Sequence, residues 1–161
     1  MASTPLMKAV KNNDTEAVAA LLANGADVNQ LDPNGDAPVI IAAYKGHTQI
    51  TQLLLEAGAD LSVRDPGMKA TALHAAAYAG RTEDARLLIR YGIDLNVQGP
   101  YNGYTALHDA IWQNNVETAR VIVEAGADLS LKSHEGRTPL EMAKARGRKE
   151  ISRLIEARTG K

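Results

Sequence analysis

The side chains best able to do chemistry in this sequence are its histidines, because imidazole acts as a general base or a metal ligand near neutral pH. His74 and His108 each lie three residues after a threonine, and Asp109 directly follows His108. Neighbouring residues on a helix point in different directions, so His108 and Asp109 do not form a catalytic dyad. His47 and His134 have no second histidine or carboxylate at metal-ligand spacing. The absence of cysteine excludes disulfides and thiolate metal sites.

The aspartates recur too regularly to indicate a catalytic site. Asp27, Asp60, Asp94 and Asp128 follow one another at intervals of 33 or 34 residues, which indicates a loop hydrogen bond made once per repeat. The glycines are spaced as helix ends and not as a phosphate-binding loop. The sequence therefore predicts a protein that is not an enzyme and that takes no cofactor or metal.

Two repeated motifs predict the elements that carry these residues. The tripeptide Gly25-Ala26-Asp27 recurs in related form three more times, at intervals of 33 or 34 residues. A second motif recurs in step with it, as Thr4-Pro5-Leu6, Ala37-Pro38-Val39, Thr71-Ala72-Leu73, Thr105-Ala106-Leu107 and Thr138-Pro139-Leu140. Two motifs in step along the whole chain indicate stacked structural repeats.

Each repeat predicts two short helices. A threonine suits the N-cap of the first helix, and a following proline suits its first turn. Nine residues after the threonine position stands a residue that tolerates a left-handed turn: Asn13, Gly46, Gly80, Asn114 or Gly147. A second amphipathic helix then ends at a recurrent glycine. Ala37 stands where the other repeats have threonine, so we expect the first helix of that repeat to lack its cap.

This pattern of helix, turn, helix and hairpin in about 33 residues resembles the ankyrin repeat. The matching stretches are Thr71-Ala72-Leu73-His74, Thr105-Ala106-Leu107-His108, Gly46-His47 and Gly25-Ala26-Asp27-Val28-Asn29. The resemblance implies an all-α repeat solenoid in which stacked helix-turn-helix units are joined by β-hairpin-like loops. It implies one domain over 1–161, with five repeats near 2–29, 30–62, 63–96, 97–130 and 131–161, the first and last being capping units. His74, His108, Asn29 and Asn96 are then structural hydrogen-bonding residues.

The resemblance also implies where a partner binds, because the family's concave face is built from hairpin tips and the ends of the first helices. The partner-binding residues expected on this basis are Tyr44, Lys45, Met68, Lys69, Tyr78, Tyr101, Asn102, Tyr104, Trp112, Gln113 and Arg146. Tyr44, Tyr78 and Trp112 share one repeat position, and exposed aromatics of this kind are enriched at binding hot spots. The alternative is that these three rings stack on one another and only stiffen the surface. We expect the core to use none of the aromatics, since Ala, Leu, Ile and Val are plentiful.

The hairpins of the third and fourth repeats each have one extra residue, within 65–69 and 99–103. Longer loops beside the aromatic stripe place the expected site at the centre of the molecule. Simple variation in loop length is the alternative explanation, because surface turns tolerate insertions.

Charge distribution leaves a second function open. The chain has a net charge of -1, but residues 131–161 hold nine Lys and Arg against four Asp and Glu. The preferred prediction is a protein-binding adaptor, scaffold or inhibitor; the alternative is binding of nucleic acid or an acidic partner through this basic repeat. No apolar run approaches the roughly 18 residues of a membrane span, and the start of the chain does not resemble a signal peptide. We therefore expect a cytoplasmic monomer that does not bind membranes.

Overall fold

A computed structural model describes residues 3–159 of the chain, and the secondary structure within them is entirely helical. Ten helices are present in this range: α1 (Pro5–Lys11), α2 (Thr15–Ala23), α3 (Pro38–Lys45), α4 (Thr48–Glu56), α5 (Ala72–Ala79), α6 (Thr82–Arg90), α7 (Ala106–Gln113), α8 (Val116–Glu124), α9 (Pro139–Ala145) and α10 (Lys149–Thr159). They follow one another as five helix pairs separated by loops. The predicted all-α repeat solenoid is confirmed.

The pairs stack into two helical layers. The odd-numbered helices α1, α3, α5, α7 and α9 contact one another in sequence, and the even-numbered helices form a second row behind them. Alanine pairs at Ala42-Ala43 and Ala76-Ala77 are fully buried, which lets the odd-numbered helices approach closely. The remaining core is mainly leucine, isoleucine and valine. One aromatic departs from the expectation, since Tyr104 is half-buried and packs against this core.

Threonine caps begin the first helix of every pair except the second. The hydroxyl oxygens of Thr4, Thr71, Thr105 and Thr138 each accept a hydrogen bond from a backbone N–H in the first turn. Helix α3 has Ala37 at its N-cap and receives no side-chain cap. The turns that end α3 and α7 are left-handed, at Gly46 (φ 72°) and Asn114 (φ 58°), as the sequence predicts.

Two histidines connect successive repeats. In α5 the Nδ1 atom of His74 accepts from the Thr71 N–H at 3.2 Å, so its Nε2–H donates to the Tyr104 carbonyl in the next hairpin at 2.9 Å. His108 repeats the arrangement with Thr105 and the Arg137 carbonyl, at 3.1 Å each. Burial lowers the pKa of both imidazoles and keeps them neutral. The geometry agrees with a structural role for both residues.

A second set of side chains connects the repeats at the C-terminal ends of the first helices. The residue after the left-handed turn reaches back and donates to a carbonyl of the preceding repeat. Arg81 Nε donates to the Tyr44 carbonyl at 3.1 Å, Asn115 Nδ2 to the Tyr78 carbonyl at 3.1 Å, and Arg148 Nη2 to the Trp112 carbonyl at 2.8 Å. Arg148 is therefore a structural residue and not simply part of a free basic surface.

The second row of helices and the loops have polar links of their own. Buried Asp84 on α6 accepts from the hydroxyls of Thr48 and Thr51 on α4, at 2.7 and 2.6 Å. The side-chain oxygens of Asn29 and Asn96 accept from backbone N–H groups of the following repeat, each at 2.8 Å. The two asparagines thus make the structural contacts expected of them.

Supplying the missing cap of α3 should stabilise the protein. Ala37 holds the position that Thr71 holds in α5, and both residues are 3% exposed. We expect Ala37→Thr to raise the free energy of unfolding by about 1 kcal/mol, the usual contribution of an N-cap. Urea denaturation of both proteins measures this, with Thr71→Ala as the matched loss of a cap. An unchanged or lower midpoint for Ala37→Thr would contradict the account of α3.

Removing the Arg148 side-chain donors should loosen the last two repeats. Arg148 bonds the carbonyls of Ile111 and Trp112, so Arg148→Met should lower the free energy of unfolding by about 1–2 kcal/mol. Lys149 is an exposed neighbour of the same charge, and Lys149→Met should change it by less than about 0.5 kcal/mol. Equal effects of the two substitutions in urea denaturation would show that the loss of a positive charge, and not the loss of the carbonyl contact, lowers the free energy of unfolding.

Candidate functional site

The helices α3, α5 and α7, with the hairpins that precede α5 and α7, form a groove in the described part of the chain. It encloses a cavity of about 620 Å³, a size typical of ligand sites. We call it the central groove. Its lining residues are Asp36, Ile40, Ile41, Tyr44, Asp65, Met68, Ala70, Thr71, His74, Ala75, Tyr78, Gly99, Asn102, Tyr104, Asp109 and Trp112.

Three aromatic side chains form an exposed stripe along the central groove. Tyr44, Tyr78 and Trp112 lie at the C-terminal ends of α3, α5 and α7, with 50%, 47% and 40% of their surface exposed. The backbone carbonyl of each is held by the next repeat through Arg81, Asn115 or Arg148, as described above. Within residues 3–159 no aromatic contact joins these three rings to one another. The geometry therefore does not support a stripe whose role is mutual stacking.

Tyr104 holds a different position from the one expected of a hairpin tip. Its ring stacks on His108 with centroids 5.4 Å apart and planes 18° apart, and it meets Trp112 at 6.1 Å. Burial, followed by the nearby Glu135 charge, raises the pKa of its phenol. Tyr104 is therefore a half-buried residue that packs against both the His108 imidazole and the Trp112 ring.

Arg146 adds a cation to the stripe. Its guanidinium carbon lies 3.8 Å from the centroid of the Trp112 ring, within the range of a cation–π contact. Arg146 does not itself line the cavity. Trp112 is thus positioned by Arg146, by Tyr104 and by the Arg148 bond to its carbonyl.

The two longer hairpins supply the rest of the wall. Backbone hydrogen bonds close them over six residues, from Asp65 to Ala70 and from Gly99 to Tyr104, whereas the loops at 32–36 and 133–137 close over five. Met68 is 51% exposed at one tip and lines the cavity. Asn102 also lines it, and its side-chain oxygen accepts from the Tyr104 N–H at 2.9 Å.

The structure places the other predicted site residues outside the cavity. Lys45, Lys69, Tyr101 and Gln113 are exposed but do not line it. The residues that come together in the central groove are thus Tyr44, Met68, Tyr78, Asn102, Tyr104 and Trp112.

Sequence reasoning missed the floor of the groove, and above all Asp109. Ile41, Ala75 and Asp109 hold equivalent positions in α3, α5 and α7, and all three line the cavity. The small side chain of Ala75 leaves space between its two larger neighbours. Burial raises the pKa of Asp109 to about 7, since a charged carboxylate loses hydration there. The available signal was a charged residue at a helix position where neighbouring repeats have isoleucine and alanine.

The described residues contain no group of three or more histidines, aspartates or glutamates arranged to hold a metal ion. None of the helices among them combines the length and the apolar character needed to cross a membrane. His74 and His108 use both ring nitrogens in structural hydrogen bonds.

Stacked helix pairs with a concave groove define a helical repeat solenoid. The model of the family described as "Ankyrin repeats (3 copies)" matches residues 2–65 and again 64–133. The chain belongs to the ankyrin-repeat family, whose repeats generally mediate protein–protein interaction.

The chain is also similar to segments of longer curated proteins. It is 42% identical over 62 residues to the ARF GTPase-activating protein Git of Drosophila melanogaster, which covers 38% of this chain and 8% of that protein. It is 35% identical over 70 residues to Dauer abnormal formation protein 25 of Caenorhabditis elegans, covering 44% and 18%. It is 36% identical over 74 residues to the tyrosine-protein kinase HTK16 of Hydra vulgaris, covering 45% and 10%. The matches span less than a fifth of the length of each of these relatives.

Because burial raises the pKa of Asp109, we expect the stability gained by replacing it with asparagine, its neutral isostere, to depend on pH. An unfolded aspartate has a pKa near 4, so between about pH 4 and pH 7 the folded state holds more protons and stability falls as pH rises. Above pH 7 the folded state carries the poorly hydrated charge. We expect Asp109→Asn to be more stable than wild type by about 1–2 kcal/mol at pH 8, and equally stable near pH 4. Urea denaturation across this range measures the difference, and a constant difference at every pH would contradict the burial of this carboxyl.

Proposed function

We propose that this chain is a non-catalytic interaction module, an adaptor, scaffold or inhibitor, that binds a segment of a partner protein in the central groove. The observation that carries this proposal is the exposed stripe of Tyr44, Tyr78 and Trp112 along a cavity of about 620 Å³. Aromatic side chains of this kind provide large contact areas and have few rotamers to lose on binding.

The positioning of the stripe supports binding of a partner with little rearrangement. The carbonyls of Tyr44, Tyr78 and Trp112 are each bonded by a side chain of the following repeat. Residues that are ordered before binding lose less conformational entropy when a partner docks. Exposed Met68 adds an apolar side chain that adapts its shape to the partner.

The basic fifth repeat is less well suited to be the main site. Several of its cations are engaged within the chain: Arg148 bonds backbone carbonyls, Arg146 covers Trp112, and Lys144 pairs with Glu156 at 3.2 Å. Binding of nucleic acid depends on many lysine and arginine contacts to phosphates, and the central groove is lined instead by Asp36, Asp65 and Asp109. These contacts favour a protein partner in the groove.

Site-specific photocrosslinking tests where the partner binds. A photoreactive phenylalanine analogue replaces Tyr78 in one protein and Tyr91 in another. Both tyrosines are exposed, but only Tyr78 lines the groove. In lysate of the source organism, the probe at position 78 should give a discrete protein adduct that is absent for position 91. Adducts at 91 alone would contradict the assignment of the groove.

Truncation of the stripe should then remove binding of the partner so identified. We expect Trp112→Ala to weaken the affinity roughly thirtyfold, because a hot-spot aromatic contributes about 2 kcal/mol or more. The triple variant Tyr44→Ala, Tyr78→Ala and Trp112→Ala should show no measurable binding, while Tyr91→Ala should bind as wild type does. Calorimetry gives the affinities, and circular dichroism checks that each variant remains helical. A folded triple variant that binds normally would place the partner elsewhere.

A further inference from the structure

The central groove is lined by acidic side chains that no lysine or arginine of the lining balances. Three carboxylates line it, those of Asp36, Asp65 and Asp109, and no lysine or arginine of residues 3–159 does. His74 also lines the cavity, and burial lowers the pKa of its imidazole, so it supplies no compensating cation at neutral pH. The chain as a whole is nearly neutral, with a net charge of -1. The acidity is thus a local property of this groove.

The three carboxylates differ in how the protein itself satisfies them. Asp65 accepts backbone N–H groups of Gly67, Met68 and Ala70 at 2.9, 2.9 and 2.8 Å, which makes it part of its hairpin. Asp109 has no ion pair or side-chain hydrogen bond with any other residue of the range 3–159. Asp36 makes no side-chain hydrogen bond within this range either, but the nearby Lys11 cation acts against the rise in its pKa, whereas burial alone acts on Asp109. A poorly hydrated carboxylate without a partner costs stability, so Asp109 gains most from a cation brought by a ligand.

The aromatic walls suit the same kind of group. Cations bind favourably over tyrosine and tryptophan rings, and Trp112 already has the Arg146 guanidinium at 3.8 Å. Ala75 on the neighbouring helix α5 and Ile41 on α3 provide apolar surface in the same groove. A lysine or arginine side chain matches this arrangement, because its methylene groups cover apolar surface while its charged end pairs with a carboxylate.

We propose that the segment bound in the central groove inserts a basic side chain, lysine or arginine, whose cationic end pairs with Asp109 alongside Tyr78 and Trp112. This proposal rests on the proposed function, since it names the chemistry of the partner at that same site. An acidic or wholly apolar segment brings no cation to Asp109, so this group must either take up a proton or remain charged without a partner, and such a segment is disfavoured for that reason.

Two probes of nearly the same shape test the charge requirement. N-acetyl-arginine methylamide carries the guanidinium, and N-acetyl-citrulline methylamide replaces it with a neutral urea. N-acetyl-lysine methylamide tests the second cation, and N-acetyl-leucine methylamide tests the apolar alternative. Trp112 is the only tryptophan in the chain, so its fluorescence reports directly on the groove, and NMR amide shifts in α5 and α7 confirm the location.

We expect the arginine and lysine probes to bind at least about tenfold more tightly than citrulline, the factor equivalent to 1.4 kcal/mol. Asp109→Asn should reduce arginine binding to the citrulline level. Glu16→Gln removes the same charge from an exposed position on α2 and should leave arginine binding unchanged. Because Asp109→Asn is expected to be the more stable protein at neutral and higher pH, misfolding would not explain its loss of binding.

Other outcomes separate the two proposals. Equal binding of arginine and citrulline, no effect of Asp109→Asn, or no arginine binding up to about 50 mM would overturn the basic side chain. Tighter binding of the leucine probe than of the arginine probe would also overturn the proposal of a basic side chain, while leaving the groove as the proposed partner site. Absence of a partner adduct from the probe at position 78 would instead contradict the proposed function itself.

Discussion

The structure depends on the need to satisfy the backbone groups at the ends of short helices. A helix leaves four N–H groups at its start and four carbonyls at its end without partners inside the helix. The helices here run from 7 to 11 residues, so these end groups are a large share of each backbone. Threonine caps and left-handed turns satisfy some of them within a repeat. Several others accept hydrogen bonds from side chains of the next repeat, so each repeat is stabilised by its neighbour.

The same requirement positions the candidate site. The carbonyls of Tyr44, Tyr78 and Trp112 belong to the unsatisfied C-terminal ends of α3, α5 and α7, and each receives a donor from the following repeat. His74 likewise fixes the hairpin that carries Tyr104. The bonds that hold the repeats together therefore also hold the aromatic stripe. Stability and the shape of the groove have a common physical origin.

The sequence predicts the structural features that recur in each repeat. It does not predict the contacts of a residue that occurs in one repeat alone. Threonine caps, left-handed turns and the position shared by Tyr44, Tyr78 and Trp112 recur in register, so the helix pairs and the stripe could be placed without coordinates. The half-burial of Tyr104 depends on its contacts with His108 and Trp112, and the role of Arg148 depends on carbonyls 36 and 37 residues away. Asp109 could be considered only as the neighbour of His108, because its place in the groove depends on the joint packing of α3, α5 and α7.

The missing histidine of the second repeat makes the two ends of the groove unequal. Ile40 holds the position that His74 and His108 hold in α5 and α7, so no imidazole ties α3 to the hairpin at 65–70. The Trp112 end is fixed by the His74 and His108 bonds in addition to that of Arg148, whereas the Tyr44 end has the Arg81 bond without a histidine bond. Directional bonds define one geometry, but apolar packing tolerates several. Recognition should consequently be selective at the Trp112 end and permissive at the Tyr44 end, so that related sequences could share one anchor and differ at the other.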